Sequence, residues 1–469
     1  MRNAKTKLVA TLGPSSDNYE IIKQLVLEGM DLVRINMSHG THKEHQQKIE
    51  IIEKLRQEGY LTAIMLDLKG PKIRCGLFEN DGVQFYKDDI TRIVKEDVLG
   101  TKERFTVSYK DIYNDLSIGD KFTLDDGILC FEVVDKEEDV LVCKSLNDHF
   151  LKSRKGLNAP YVKLMNEYIS EKDLQDIEFA CKQPINYLAA SFVRRKEDVM
   201  EIRKLLAKYN RDDIRIIAKI ESPEAVENID DILEVSNAIM VARGDLGVEV
   251  ELQTVPQIQR ELVKKCNIAG KPVIIATHML ESMQINPRPT RAEVSDVFNA
   301  VLDGADAIML SGESASGKYP IESVRTQNDI AKKAEEMLDY EKLANDFYES
   351  SNKSQGDAIG IGVSKSVLML DAKLVVIVSS SFSAIRKLAK FKFKAPILAI
   401  TSDQKSAIDL NGLYYGIQAN YVKKSITNID SYVNNAAKKH GVKKGENIIL
   451  VGVDSNNNKA NMMKIIQVK

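Results

Sequence analysis

The chain has no tryptophan, only five cysteines, and no excess charge of either sign. Its 66 lysines and arginines nearly balance 68 aspartates and glutamates, so global charge gives no reason to expect nucleic-acid or membrane binding. The cysteines form no C-x-x-C pair, which argues against a zinc knuckle or a disulfide framework and fits a reducing compartment such as the cytoplasm. No apolar run approaches the roughly 18–20 residues of a membrane helix, and the run at 8–12 is too short for a signal peptide.

The repeated pattern in the chain is a short apolar run followed by a helical segment. Eight runs are nearly continuous in apolar residues, as expected for strands buried on both faces of a parallel sheet. They lie at 7–13, 31–37, 62–68, 186–191, 215–220, 238–243, 272–277 and 307–312. Helices are predicted at 19–28, 42–57, 170–182, 196–209 and 252–269, with N-caps at Asp17, Thr41 and Ser170. This alternation predicts a (β/α)8 TIM barrel.

Two further regions depart from the barrel pattern. Residues 71–160 are rich in Val, Phe, Thr, Asp and Gly, with turn signals at 80–82, 118–120 and 125–127, and predict an inserted small β-barrel lid domain. A helix predicted from 319 to about 340 and a polar stretch at 345–357 precede four more predicted strands, at 374–379, 397–401, 414–419 and 447–451. They indicate a C-terminal open α/β domain. The stretch at 454–458 is predicted to be a polar loop.

The fold is thus predicted to be α/β, with the barrel at 1–70 and 161–343, the lid at 71–160 and the C-terminal domain at 344–469. In such barrels the chemistry collects where the strands end. The predicted strand ends carry mainly charged and hydroxyl side chains, namely Arg34, Lys69, Arg74, Lys219, Glu221, Arg243, Asp245, Thr277, Ser311 and Glu313. A single Asp or Ser there is commonly a turn or cap residue, and a purely structural ring of ion pairs is the alternative explanation.

Paired charges on one strand are harder to explain by turns alone. Lys219 and Glu221 are two residues apart, so they point to the same side of a strand. Buried charges need partners, and Arg243 and Asp245 on the next strand are predicted to supply them. The residues Glu221 and Asp245 suit Mg2+, which takes one or two carboxylates plus substrate oxygens.

The cations of the rim imply an anionic substrate, and phosphate is the anion that they suit best. Residues 244–247 can open a helix whose amides bind a carboxylate or phosphate. The pair His42 and His45 has no nearby ligand partner in the sequence and is predicted to lie on the surface. The residues alone therefore predict a Mg2+-dependent enzyme acting on a phosphorylated anion, with a lid that closes over the rim.

Seven motifs, in order, resemble those of the pyruvate kinase family. They are KTKLVATLGPSS at 5–16, VRINMSHG at 33–40, LDLKGPKIR at 66–74, IAKIE at 217–221, MVARGDLG at 240–247, IATHMLESM at 275–283 and MLSGESA at 309–315. The resemblance covers essentially the whole chain, which starts directly at the barrel as in bacterial members. It implies phosphoryl transfer from phosphoenolpyruvate to ADP, followed by protonation of the enolate to pyruvate, in a cytoplasmic homotetramer that binds no nucleic acid or membrane.

The resemblance also implies roles for single residues. Glu221 and Asp245 would hold Mg2+ or Mn2+, and Lys219 would stabilise the transferring phosphoryl group. The substrate carboxylate would bind Gly244, Asp245 and Thr277, and a proton relay would involve Thr277 with Ser311 and Glu313 behind it. Phosphoryl oxygens would contact Arg34 and Arg74, and the nucleotide would contact Asn36, His39, Arg74 and Lys155.

This chain departs from the family pattern in two places. Many family members have Glu at the position of Lys72 and Thr at the position of Leu68. In the family, the combination of Lys and Leu at these positions goes with activity that does not depend on K+. The ammonium of Lys72 would repel a second cation, so K+ is expected not to be required. The residues that match the monovalent-cation site would then hold Lys72; they are Asn36, Ser38 and Asp67.

The second departure lies in the loop at 379–384, where members carry a sugar-phosphate effector loop. Its hydroxyls remain, but Phe382 replaces a glycine and no basic residue precedes Arg386. A hydroxyl-lined phosphate pocket and a loop that no longer binds fructose 1,6-bisphosphate both fit this pattern, and the missing cation favours the second. Three rival functions stay open: a metal-dependent aldolase, Schiff-base chemistry at Lys219, and a non-enzymatic binding scaffold.

Overall fold

A closed barrel of eight parallel strands forms the centre of the structure, a computed structural model that describes residues 4–423, 426, 428–454 and 459–469. Its strands are Lys7–Thr11, Met30–Asn36, Ala63–Asp67, Tyr187–Ala190, Arg215–Ile220, Ala238–Ala242, Val273–Ala276 and Ala307–Leu310. Each strand pairs with the next in chain order, and the eighth closes on the first, with Ile308 beside Leu8. The prediction of eight strands and a TIM barrel is confirmed.

Helices surround the barrel and bury their apolar faces against its outer surface. They are Tyr19–Glu28, His42–Gln57, Glu171–Cys181, Lys196–Lys208, Pro223–Glu227, Ile229–Val235, Arg243–Glu249, Val255–Ala269, Arg291–Leu302, Gly312–Ala315 and Pro320–Glu336. Short 3-10 turns form Leu252–Thr254 and Glu281–Gln284. Thr41 and Ser170 cap their helices through reciprocal capping boxes, as predicted.

Three local predictions on these helices are wrong. Asn18, not Asp17, caps the first helix, because its side chain accepts the Ile21 N–H. His45 is only 4% exposed rather than at the surface, while His42 contacts the buried Asp176 at 2.6 Å. The helix predicted to run to about residue 340 ends at residue 336, and a new helix, Tyr340–Glu349, follows.

The lid is an inserted half-barrel of mostly antiparallel strands, in which only Ile90–Val94 and Arg104–Thr106 of the described pairs run parallel. The six-stranded sheet contains, in spatial order, Leu157–Asn158, Lys121–Leu124, Leu129–Glu137, Val140–Ser145, Ile90–Val94 and Arg104–Thr106, and a second sheet pairs Gly82–Phe85 with His149–Lys152. A 3-10 turn, Glu79–Asp81, and a helical turn, Ile112–Asp115, complete it. The predicted turn at Asp125 and Asp126 has positive φ angles of 55° and 53° and joins two of these strands.

A separate five-stranded sheet forms the C-terminal α/β domain. Its spatial order is Ile417–Tyr421, Ile397–Thr401, Leu374–Val378, Asn447–Val453 and Ala460–Gln467, with helices Gln355–Leu370, Phe382–Ala389, Gln404–Leu413 and Ile429–Lys439. The third predicted strand begins at residue 417 rather than 414, and the antiparallel strand Ala460–Gln467 was not predicted. Apart from Asp454, the polar loop predicted at 454–458 lies outside the described residues. The core of this domain is continuous with the side chains inside the barrel.

Candidate active site

The centre of the rim is the ammonium of Lys219, which is 8% exposed at the end of the fifth barrel strand. Its Nζ donates to Ser191 Oγ at 2.7 Å and lies 3.1 Å from Glu221 Oε1 and 3.3 Å from Asp67 Oδ1. These oxygens come from the third, fourth and fifth strands, which the barrel register places side by side. The prediction that Lys219 and Glu221 share one side of their strand is confirmed.

The charge state of Lys219 follows from competing effects. Burial acts to lower its pKa, but the carboxylates of Asp67 and Glu221 outweigh burial, and the pKa is raised. The pKa of Asp67 is lowered although burial opposes ionisation, because Lys219 and Arg34 stabilise its charge. Lys219 is therefore a fixed cation, which disfavours a neutral amine nucleophile and Schiff-base chemistry.

Glu221 is fully buried, and its two oxygens have different surroundings. Oε2 accepts the Phe192 N–H at 2.6 Å, whereas Oε1 accepts no hydrogen bond. Phe192 has a left-handed backbone, with a φ of 52°, which is strained for a bulky residue. Burial raises the pKa of Glu221 to about 7, against the opposing attraction of Lys219. Oε1 forms an ion pair with Lys219 Nζ at 3.1 Å but accepts no hydrogen bond from the described residues, so it can also ligate a divalent cation.

Asp245 lies in the first turn of helix Arg243–Glu249, which starts directly after the sixth strand as predicted. Its Oδ1 lies 3.3 Å from Lys72 Nζ. The prediction that Arg243 partners Lys219 and Glu221 is wrong, because Arg243 instead contacts Asp296 at 2.7 Å and donates to the Thr277 carbonyl at 2.8 Å. No cluster of three or more metal-ligating His, Cys, Asp or Glu occurs in the described part of the chain; two carboxylates suffice for Mg2+ when substrate oxygens complete its shell.

The surroundings of Lys72 differ from the expectation for a vestigial monovalent-cation site. Besides Asp245, its ammonium lies 3.3 Å from Asp126 in the lid turn and 5.7 Å from the centre of the Phe192 ring. Within residues 4–423, the contacts of Lys72 do not include Asn36, Ser38 or Asp67, so the expectation that these three residues hold it is wrong. Asp67 is used by Lys219 and Arg34 instead.

The other residues of the expected monovalent-cation site form contacts within their own loop and with the neighbouring strand. The Asn36 side chain accepts the Ser38 N–H at 3.0 Å, and Ser38 and His39 are exposed. Leu68 is 3% exposed, and its N–H donates to the Ala189 carbonyl at 3.0 Å. Ser38 and His39 therefore present exposed side chains at the rim, and Leu68 is a core residue.

Three more cations reach the rim or the lid hinge. Arg34 is 9% exposed; its Nε donates to Asp67 Oδ2 at 2.7 Å and its Nη1 donates to Thr11 Oγ1 at 3.0 Å. Arg74 donates through Nη1 to the Arg154 carbonyl, but its buried Nε has no hydrogen-bond partner in the part of the chain that the structure describes. Burial and then Arg74 lower the pKa of Lys69.

Thr277 and Gly244 form one unit at the ends of the sixth and seventh strands. Thr277 Oγ1 accepts the Gly244 N–H at 2.7 Å and donates to the Ala276 carbonyl at 2.5 Å. The φ of Thr277 is 70°, which is unusual for a β-branched residue and is followed by a φ of 53° at His278. Such strain persists only where the surroundings impose it, and it clusters at functional sites.

Glu313 joins the segments that follow the seventh and eighth strands. It is fully buried, and its two oxygens accept the Leu280 N–H at 3.0 Å and the Ser311 N–H at 2.8 Å. The Glu313 carboxylate thus fixes the backbone on which Ser311 stands. Lys155 belongs to the lid, where its Nζ lies 2.7 Å from Asp125 Oδ1; that hydrogen bond raises its pKa.

Two family models match this chain. The model described as pyruvate kinase, barrel domain, matches residues 3–324, and that described as pyruvate kinase, alpha/beta domain, matches residues 357–466. The chain belongs to the pyruvate kinase family. A curated pyruvate kinase from Geobacillus stearothermophilus is 44% identical over 98% of this chain and 80% of its own length. One from Clostridium perfringens is 44% identical, with 88% of each chain covered. A solved pyruvate kinase from Cryptosporidium parvum has a TM-score of 0.94 and 34% identity, covering 99% of this chain and 96% of its own.

As a member of the pyruvate kinase family, the chain is a phosphotransferase. Two residues of the barrel rim, Ser191 and Phe192, were not predicted from the sequence; Ser191 contacts Lys219, and Phe192 contacts Glu221. The available signal was position, because Ser191 directly follows the fourth strand. In the part of the chain that the structure describes, no helix is both long and apolar enough to span a membrane.

Proposed function

We propose that this enzyme transfers the phosphoryl group of phosphoenolpyruvate to ADP and releases pyruvate and ATP. The observation that carries the proposal is the arrangement around Lys219: a charged ammonium at the end of a barrel strand, 3.1 Å from a buried carboxylate whose Oε1 accepts no hydrogen bond. This arrangement offers a fixed positive charge and a cation ligand at one point, which phosphoryl transfer requires.

Glu221 and Asp245 would hold Mg2+ or Mn2+. The ion, when bound, supplies positive charge beside the carboxylate and enolate oxygens of the substrate. Lys219 binds the transferring phosphoryl group and stabilises its charge, and Asp67 and Ser191 hold its ammonium in place. Because this cation is already oriented, it needs little rearrangement when charge develops.

The arginines and the exposed loop would bind the phosphates. Arg34 is oriented by Asp67 and Thr11, and the unpartnered Nε of Arg74 is free to donate to a phosphoryl oxygen. Asn36 and His39 stand at the same rim and would contact the nucleotide. Lys155 would contact the nucleotide from the lid, where its ammonium would leave Asp125 and bind a phosphate instead.

Thr277 would bind the substrate carboxylate together with the backbone amides at Gly244 and Asp245. Its hydroxyl, oriented by the Gly244 N–H, would lead the proton relay to the enolate. Ser311 would continue the relay. Glu313 acts as a positioning residue, since it holds the backbone amides of Ser311 and Leu280.

We also propose that turnover does not require K+. The ammonium of Lys72 lies 3.3 Å from Asp245 and supplies a permanent positive charge beside this carboxylate. A K+ ion is repelled from the side of Asp245 that this ammonium occupies at Oδ1, which leaves Oδ2 for the divalent ion.

The assembly and location are part of the same proposal. The outer strand Ala460–Gln467 pairs on one side only in the described sheet and exposes Met462 and Ile465. An apolar edge strand suits pairing with a second copy. Such pairing would supply one of the contacts of the proposed homotetramer, and light scattering of the wild type and of Ile465→Lys tests it. The five free cysteines support a reducing, cytoplasmic location. The proposed domain boundaries stay at 70/71, 160/161 and 343/344, the last of them within helix Tyr340–Glu349.

A lactate-dehydrogenase-coupled assay with phosphoenolpyruvate, ADP and Mg2+ tests the function. We expect turnover that depends on ADP and falls at least about a thousandfold in Lys219→Met, with unchanged thermal unfolding. The control is Lys196→Met, an exposed lysine outside the site. Turnover of substrate without ADP would indicate a metal-dependent aldolase. Trapping of substrate on Lys219 by borohydride would indicate Schiff-base chemistry, and no turnover at all would indicate a binding scaffold.

A further inference from the structure

A cavity of about 280 Å³ lies between the lid hinge and the barrel, beside the catalytic rim. One wall is the hinge strand with Asn158, and the opposite wall is the barrel segment with Glu224. Lys72 is the wall residue that also contacts Asp245, whereas Lys219, Glu221 and Thr277 do not line the cavity. The cavity is therefore a neighbour of the proposed substrate site and has its own chemistry.

Asn158 has an unmet hydrogen-bonding requirement. It is 3% exposed and lines the cavity. Its Nδ2 donates to Glu249 at 2.5 Å, but its Oδ1 has no hydrogen-bond partner among the described residues. Leaving a buried carbonyl without a donor is costly, so a ligand that donates to Oδ1 would gain a bond that the protein does not make.

The free groups of the cavity are mainly acceptors with negative charge. Among the described residues, the half-buried carboxylate of Glu224 has no ion-pair or hydrogen-bond partner. The wall also contains Glu227, which is exposed, and Glu249, which accepts the Asn158 N–H. Most of the cavity's hydrogen-bond donors already have partners. Lys72 forms ion pairs with Asp245 and Asp126, and Arg194 forms an ion pair with Asp198 and donates to nearby carbonyls. Lys163 remains, but its side chain is exposed to solvent.

Two aromatic residues complete the cavity, and both have a left-handed backbone. Phe192 has a φ of 52°, which its N–H bond to Glu221 explains. Tyr161 has a φ of 66° and is 72% exposed, and no hydrogen bond of its side chain explains this conformation in the residues described. Aromatic faces beside free carboxylates favour a cation.

We propose that this cavity binds a small organic cation, an amidinium or primary ammonium on an apolar ring or short chain. Its N–H groups donate to Asn158 Oδ1 and to Glu224, and its apolar part packs against Phe192 and Tyr161. Because Asn158 belongs to the lid hinge and Glu224 to the barrel, the ligand joins the two parts. It should therefore change the apparent affinity for phosphoenolpyruvate through the position of the lid.

Calorimetric titration of the full chain with benzamidine chloride tests the proposal, with sodium benzoate as the anion of similar size and shape. We expect saturable binding of benzamidinium and none of benzoate. Glu224→Gln should weaken binding about fivefold, whereas Glu201→Gln, an exposed carboxylate on helix Lys196–Lys208, should leave it unchanged. The KM for phosphoenolpyruvate should shift with benzamidine in the wild type and less in Glu224→Gln.

Tyr161→Ala is a second variant, chosen because the exposed ring can be removed without opening the core. It should weaken benzamidinium binding as well. Equal binding of benzoate, no saturable binding, or affinity unchanged in both variants would overturn the proposal. Since calorimetry needs no turnover, this result is independent of whether the enzyme proves to transfer phosphoryl groups.

Discussion

The guanidinium of Arg215 stacks on the ring of Phe382, 3.4 Å from its centre. This contact joins the first residue of the fifth barrel strand, which carries Lys219 at its other end, to the loop at 379–384. Phe382 also meets Tyr414 edge-on, with ring centres 5.5 Å apart. The residue that replaces the family's glycine is thus part of the contact between the C-terminal domain and the barrel.

We expect Phe382→Ala to lower the midpoint of thermal unfolding by a few degrees, because it removes the stacking and edge-on contacts. Arg215→Gln should also destabilise, since Arg215 lies 3.0 Å from the buried Asp409. In a double-mutant cycle the two changes should be less than additive, with a coupling of about 0.5–2 kcal/mol. Additive effects would show that the stacking contributes no stability.

Fructose 1,6-bisphosphate should leave the saturation curve for phosphoenolpyruvate unchanged. The loop uses two of its hydroxyls internally: Ser379 Oγ accepts the Ser381 N–H, and Ser381 Oγ caps helix Phe382–Ala389 by accepting the Ala384 N–H. Phe382 is held by Arg215. Initial rates with and without the effector check this, and a large leftward shift of the curve would refute it.

Lys72→Glu should make the enzyme dependent on K+. The new carboxylate would face Asp245, and two like charges need an added cation. Without K+, kcat/KM should fall at least about tenfold, and KCl should restore most of it while tetramethylammonium chloride should not. Lys72→Arg is the matched control and should stay independent of K+. A strict K+ requirement in the wild type would contradict the proposal that the Lys72 ammonium makes K+ unnecessary.

Acid should destabilise the protein partly through His45. Burial lowers the pKa of His45 to about 4, with further lowering by Lys48 and His42 against the attraction of Asp176. Above about pH 6.5 His45 is neutral in both folded and unfolded chains. Between about pH 6.5 and 4 the unfolded chain binds a proton that the folded chain does not, so this contribution to stability is lost as pH falls, by at most about 1.4 kcal/mol per pH unit.

Unfolding midpoints measured from about pH 7.5 to 4.5 check this prediction. His45→Gln should show a weaker fall with acid than the wild type. His39→Gln, which changes an exposed histidine, should retain the wild-type fall. Identical pH profiles for His45→Gln and the wild type would assign the acid sensitivity to other groups.

The parts predicted correctly from sequence are those fixed by local pattern. Continuous apolar runs located the eight barrel strands, and the spacing of two placed Lys219 and Glu221 on one side. Ion-pair partners that come from distant segments were not predictable. Arg243 pairs with Asp296, and Lys72 pairs with Asp126 of the lid. The contact between His42 and the buried Asp176 likewise joins helix His42–Gln57 to helix Glu171–Cys181, two segments that no local pattern connects.

Substitutions of Thr277 test whether its hydroxyl, at the end of the seventh strand, takes part in catalysis. Its Oγ1 accepts the Gly244 N–H at 2.7 Å, so Thr277→Val, which is nearly isosteric, would leave that N–H without a partner and remove the hydroxyl of the relay. We expect kcat to fall at least about a hundredfold in Thr277→Val and less than about tenfold in Thr277→Ser, which keeps the hydroxyl and relieves β-branching at a φ of 70°. Steady-state kinetics with thermal unfolding as the folding control decide it. Equal activities in the two variants would show that the hydroxyl has no part in catalysis, and that the strained backbone alone positions Gly244.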